Sequence, residues 1–209
     1  MKHLQLSPPL LIVTMGYPGS GKSFFARQFA DTYGLARVSE DRVRFELFER
    51  PSFSNEESEI INRMMRYMLE ETMQTEQSII CEGSFLKAKD RRELADLAKA
   101  KGYRILTVWL QTDVETSERR ASVRDRRNPD SKYAFELDRT TFNRLKNDLQ
   151  RPQDKEQSVV ISGKHAFRSQ NLTVLRKITS IYSENLHVPT SRPTSSTPRV
   201  IRPNRKFIQ

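Results

Sequence analysis

Leu10-Leu-Ile-Val-Thr-Met15 runs directly into Gly16-Tyr-Pro-Gly-Ser-Gly-Lys22-Ser23, and Phe24-Phe25-Ala26-Arg27-Gln28-Phe29 follows. The apolar run is too short and too β-branched for a helix and reads as a buried strand. The next eight residues fit the phosphate-loop pattern G-x-x-x-x-G-K-[ST], and a helix opening near Ser23 completes the strand–loop–helix context the pattern requires. Glycines at 16, 19 and 21 let the backbone approach an anion closely, so that successive N–H groups of Gly16, Tyr17, Pro18-Gly19, Ser20, Gly21, Lys22, Ser23 and Phe24 surround a phosphate, Pro18 lacking a donor. In this pattern Lys22 reaches the β- and γ-phosphates, and the Ser23 hydroxyl ligates Mg²⁺. The segment therefore predicts a nucleoside triphosphate site with Mg²⁺ as its metal.

Outward from that loop, strands and helices alternate. Helical spacing continues to Tyr33 with Gly34 as C-cap. Short strands are expected at 36–39, 78–82, 103–110 and 158–161, and helices at 55–74, 90–101, 113–127, 135–150 and 171–182. Ser54/Glu57 and Asp90/Glu93 read as capping boxes. Ile60, Ile61, Met64, Met65, Met68, Leu69 and Met73 form an apolar stripe whose expected role is core packing. This alternation implies α/β architecture: a five-stranded parallel sheet flanked by helices, of the P-loop NTPase, nucleotide-kinase-like type, with a helical lid at about 113–130. One domain is expected over 1–187. Residues 188–209 are rich in Pro, Ser, Thr and Arg, carry no acid, and read as a disordered basic tail.

The chain has 209 residues, a net charge of +10 and 30% charged residues, a balance that favours polyanionic partners. The lone Cys81 lies in an apolar run, excludes an intramolecular disulfide, and is expected to be a buried, inert thiol. No apolar stretch is long enough to span a bilayer and no signal-peptide core opens the sequence, so the expected location is cytoplasmic, with no membrane partner. Oligomeric state is not legible.

Three further clusters carry chemistry. Ser39-Glu40-Asp41-Arg42-Val43-Arg44 follows the second strand, where ligands of open α/β sheets bind. Asp41 there can take the proton of an attacking hydroxyl. Arg44, one helical turn on, can clasp an anionic acceptor; a helix start with Arg44 paired to Asp41 is the structural alternative. Glu82, at the end of the third strand, suits a Mg²⁺-bound water or the acceptor, and Gly83 permits a turn. In Glu118-Arg119-Arg120-Ala-Ser-Val-Arg124-Asp125-Arg126-Arg127, helical spacing would place Arg120, Arg124 and Arg127 on one face, as a lid lowering arginines onto a transferring phosphate would need. Few aromatics sit among these basic clusters to stack on bases.

In this order the clusters resemble P-loop kinases related to the 5′-kinase domain of phage polynucleotide kinase and to zeta-type toxins, a group often described as AAA-family ATPases. The resemblance covers about residues 10–182. It implies that Lys22 and Ser23 bind ATP·Mg, that Asp41 is the general base, and that Arg44 binds the acceptor's phosphate. It also makes Arg120 and Arg124 lid arginines, with Arg120 touching the nucleotide, and sets Val160–His165 and Gln170 beside the adenine. Glu82 departs from the Asp common in the group. The activity so implied is transfer of the ATP γ-phosphoryl group to a hydroxyl acceptor, preferably a nucleic-acid 5′-end or a nucleotide. A small-molecule or sugar-nucleotide kinase, and an ATPase switch without an acceptor, stand as alternatives.

Overall fold

A computed structural model describes residues 4–125, 127–129 and 131–183. The basic tail expected at 188–209 lies outside the described residues, as does Arg126. Five parallel strands, β1 (Leu10–Met15), β2 (Ala36–Ser39), β3 (Ile79–Glu82), β4 (Arg104–Gln111) and β5 (Ser158–Ser162), form one sheet in the order β2-β3-β1-β4-β5. β1 is central and wholly buried, paired with β3 from Leu11↔Ile79 and with β4 from Leu10↔Arg104. The strand order changes direction beside β1, so the crevice beyond its carboxyl end is where such a sheet binds its ligand.

Helices cover both faces. α1 (Lys22–Tyr33) packs Phe25 and Phe29 against Ile12, Leu106 and Leu110, joined on that face by the last helix (Phe167–Ser183). On the opposite face α3 (Asn55–Met73) and α4 (Ala88–Ala100) set Ile61, Met65, Leu69 and Leu97 over Leu11, Val13 and Ile79. The remaining helices are α2 (Glu40–Leu47), α5 (Val114–Ser122) and α6 (Arg139–Asn147), which makes the last helix α7. A smaller cluster of Ala121, Leu137 and Phe142, with Tyr17, Phe53 and Leu145 against it, ties α5 and α6 to the phosphate loop.

Several boundaries differ from those read in the sequence, each for a local reason. α2 begins at once after β2 because Ser39 accepts the Arg42 N–H at 3.4 Å as an N-cap. The Ser54 cap of α3 forms at 3.2 Å to the Glu57 N–H. The Asp90/Glu93 box does not form, since α4 starts at Ala88 with Asp90 already in its first turn. α5 stops at Ser122, not 127: Val123 is extended, and the Ala121 carbonyl accepts the Leu137 N–H at 3.0 Å. Arg120, Arg124 and Arg127 therefore do not share a helix face. α6 starts late, capped by Asp138 on the Thr141 N–H at 2.9 Å. The methionine stripe of α3 divides: Met65 and Met73 are core, whereas Ile60, Met64 and Met68 are exposed. Cys81 is buried, and that burial pushes its thiol far above the ordinary range, the condition for an inert side chain. Among the described residues no helix is long and apolar enough to cross a membrane.

Candidate functional site

The carboxyl ends of β1, β2 and β3 converge on a cavity of about 570 Å³. From the phosphate loop, Pro18, Gly19, Gly21, Lys22, Ser23 and Phe24 line it. Gly16, Tyr17 and Ser20 serve the loop's own structure. The Gly16 N–H donates to the Ser84 carbonyl at 3.4 Å, and Tyr17 turns away onto Phe142, ring centroids 6.4 Å apart. Ser20 is fully buried, its carbonyl accepting the Thr112 hydroxyl at 3.1 Å. Gly19 has φ +79°, and a Cβ there would stand 2.2 Å from the Ser117 carbonyl of α5, so both the conformation and the close approach demand glycine. Gly163 is similarly confined, since a Cβ would overlap the Ser20 carbonyl oxygen.

Lys22 folds back over the loop, its Nζ donating to the Gly16 and Tyr17 carbonyls, both at 2.9 Å. Burial pushes its pKa down, while Asp41, Glu40 and Glu82 pull it back up. Asp41, in the first turn of α2, has its carboxyl pushed up to about 6: burial is the main cause, Glu82 and Glu40 add to it, and Lys22 and Arg124 oppose it. A carboxylate that titrates near neutrality beside a phosphate-loop lysine is equipped to accept and release a proton. The loop, Asp41, Glu82, Arg120 and Arg124 all line this one cavity. Arg124 reaches it from the extended segment after α5, with burial lowering its pKa against the pull of Asp41 and Glu136. Arg120 donates to the Gly163 carbonyl at 3.4 Å. Gln170 is buried and donates to the Ser162 carbonyl at 2.8 Å, tying α7 to the end of β5.

Arg44 also lines the cavity, but its guanidinium is engaged inside the protein. Nη2 meets Glu40 at 2.8 Å and Nη1 makes a close ion pair with Glu57, with both Arg44 and Glu57 almost fully buried. Its partners are thus Glu40, one turn back, and Glu57, thirteen positions on, and the pairing to Asp41 weighed in the sequence does not occur. Burial works against the Arg44 charge, but Glu40 and Glu57 outweigh it and raise its pKa. Burial likewise works to raise Glu57, yet hydrogen bonds from Arg44 and Ser52 hold it below the usual carboxylate range. Glu40 spans the site, its second oxygen accepting the Ser84 N–H at 3.0 Å. Arg44→Met leaves Glu57 buried without its counter-charge and is expected to cost about 3–5 kcal/mol. Urea unfolding at pH 7 measures that gap, which narrows as pH falls and Glu57, whose native pKa is depressed, becomes protonated.

Glu82 is buried, and its Oε2 is held by Arg37 on β2 at 2.7 Å. Mg²⁺ in phosphate-loop sites takes few protein ligands and completes its shell with water and substrate phosphate. Ser23 and Glu82 fit that donor set, and among the described residues no group of three or more His, Cys, Asp or Glu forms a self-sufficient metal cage. The sequence reading missed Arg37, Glu40 and Glu57. Arg37 carried no local signal, but Glu57 stood out already as a capping residue.

Residues 11–152 match the family model described as an AAA domain. No curated protein sequence matches the chain. Among solved structures, a gluconokinase from Sinorhizobium meliloti aligns over 86% of this chain and 96% of its own, at 17% identity and a TM-score of 0.62. The Mycobacterium tuberculosis APS kinase, solved with AMPPNP and APS, aligns over 82% of this chain and 98% of its own, at 15% identity and a TM-score of 0.57. A chain of the Pnkp1/Rnl/Hen1 RNA repair complex aligns over 68% of this chain and 44% of its own, at 22% identity and a TM-score of 0.55. Likeness at these identities is likeness of fold: the sheet and its helices are those of P-loop kinases.

Proposed function

The chain belongs to the AAA-domain family, and from that premise we propose that it is a Mg²⁺- and ATP-dependent phosphotransferase acting on a hydroxyl acceptor, by preference a nucleic-acid 5′-end or a nucleotide. The observation that carries this reading is Asp41, with a pKa of about 6, lining the same cavity as Lys22 and the phosphate loop. An ATPase would use such a carboxylate on water, so what separates the two readings is the appearance of label on an acceptor.

In the proposed reaction the Asp41 carboxylate receives the acceptor's hydroxyl proton as the oxygen bonds to the γ-phosphorus. The bond from that phosphorus to the β–γ bridging oxygen breaks, and ADP leaves with the electron pair. Lys22 holds the β- and γ-phosphates while the loop N–H groups and the start of α1 face the same charge. Arg120 and Arg124 supply positive charge where the transferring group passes. Ser23 and Glu82 would hold Mg²⁺, which would supply neutralisation of phosphate charge.

The test is incubation with γ-labelled ATP and Mg²⁺ against 5′-hydroxyl oligonucleotides, nucleosides and a panel of sugars and other small hydroxyl compounds. Label on an oligonucleotide or nucleoside is the expected result. Label confined to a sugar moves the reading to a small-molecule kinase, and free phosphate with no labelled acceptor replaces it by an ATPase.

A further inference from the structure

The cavity that holds Lys22 and Asp41 is not polar throughout. Phe53, Val123, Ala134, Phe135, Leu137 and Leu145 also line it, so a site built for phosphate carries an apolar wall. The triphosphate gives the charged part its occupant, and of the segment expected beside the adenine, Val160–His165 and Gln170, only Gly163 lines this cavity, so the six apolar side chains are left to another group. In the sequence these residues are scattered over three segments. The structure gathers them with two more aromatics into a continuous series: Phe53 to Phe135 at 6.3 Å, Phe135 to Phe45 at 5.9 Å, Phe45 to Tyr133 at 5.4 Å. Cations border it, with Arg42 at 5.6 Å and Lys132 at 5.2 Å from the Tyr133 ring centre. The scarcity of aromatics among the basic clusters, read from the linear sequence, is thus undone by folding.

Phe53 is held in place by more than packing. Its φ is +55°, a left-handed conformation that a residue with a Cβ rarely adopts. Both of its backbone groups are clamped: the N–H donates to Glu57 Oε2 at 3.0 Å, and the carbonyl accepts from Arg144 Nη2 at 2.9 Å. The Arg44 guanidinium lies over the ring, 4.7 Å from its centre. The buried Glu40–Arg44–Glu57 network therefore ends on this one ring. Strain maintained by such surroundings at the wall of a cavity marks a residue whose placement is used.

We propose that Phe53, with Phe135, is the specificity-determining wall for the acceptor, and that it takes a planar ring, as a nucleobase attached to the hydroxyl-bearing sugar. Arg44 is then a positioning residue for Phe53 and not the acceptor's anion clamp. The inference rests on the phosphotransferase reading for the meaning of the site, but its test reads binding and not transfer.

Uridine and ribose share the hydroxyl-bearing sugar and differ in the base. Each is titrated calorimetrically into protein saturated with AMPPNP and Mg²⁺, so that the nucleotide site is filled. Uridine is expected to bind the wild type at least about tenfold more tightly than ribose, within what stacking a base on an aromatic ring provides. Phe53→Gly relieves the positive φ and removes the ring; it is expected to abolish that advantage while AMPPNP affinity changes less than about twofold, measured well below its melting temperature, which falls because the ring also packs on the cluster of Ala121, Leu137 and Phe142. Phe53→Tyr keeps the ring and is expected to keep the advantage. Equal affinity for uridine and ribose, or an undiminished uridine preference in Phe53→Gly, overturns the proposal. Ring-selective binding without transfer to any acceptor would leave it standing and remove the kinase reading instead.

Discussion

Replacing Lys22 by alanine is expected to reduce γ-phosphoryl transfer on the order of 10³-fold. The loop glycines shape a cradle, but Lys22 is the loop's mobile positive charge, and removing one directed donor at a developing charge costs about 10²–10³-fold even where others remain. Its ammonium donates to the Gly16 and Tyr17 carbonyls at 2.9 Å, which keeps it at the mouth of the loop. Loss of the lysine also leaves Asp41, Glu40 and Glu82 facing one another without it, so the pKa of Asp41 rises further and less of the base is ionised at neutral pH. Steady-state transfer and AMPPNP titration measure both effects. Transfer above about a tenth of the wild-type rate would show that the lysine does not hold the phosphates.

Asp41→Asn is expected to lower transfer by about 10²–10⁴-fold, the usual range for a general base, with AMPPNP affinity nearly unchanged. The pH profile distinguishes a base from a structural acid. The base must be unprotonated, and its pKa lies at about 6, so wild-type kcat/KM falls as pH drops through that value. The small residual rate of the asparagine variant should lack this acidic limb. Stability moves the other way. An aspartate with a raised native pKa favours the fold only while protonated, and that contribution is lost as pH rises from about 4 through about 6. Asp41→Asn should therefore melt higher than the wild type at pH 8, and a variant that is both less active and less stable there would indicate a structural role.

The phosphate loop, the five strands and the cluster after β2 were legible in sequence because each is written in contiguous residues: glycine spacing, short apolar runs, charged residues at a strand's end. α5 was overextended because helical spacing cannot show that the Ala121 carbonyl is taken by the Leu137 N–H, which arrives from sixteen residues on. α2 is legible only as a helix start near Asp41, its extent hidden because eight residues, Glu40–Leu47, offer too little periodicity beside a charged cluster. Arg44 illustrates the wider limit. Its type and spacing suit an anion clamp, and only folding shows that Glu57 reaches it first. Aromatics at 45, 53, 133 and 135 carry no pattern until the chain closes.

The tight fit of Gly19 beneath Ser117 and of Gly163 against Ser20 has a consequence for divergence. Donor-side positions there are frozen, since a single methyl group would displace α5 or β5 from the loop. The proposed acceptor wall hangs on residues 51–53, 123–125 and 131–145, outside the sheet, where side chains exchange without moving a strand. Descendants of such a chain can change what these outer segments admit by drift while the phosphate loop and its neighbours are inherited intact.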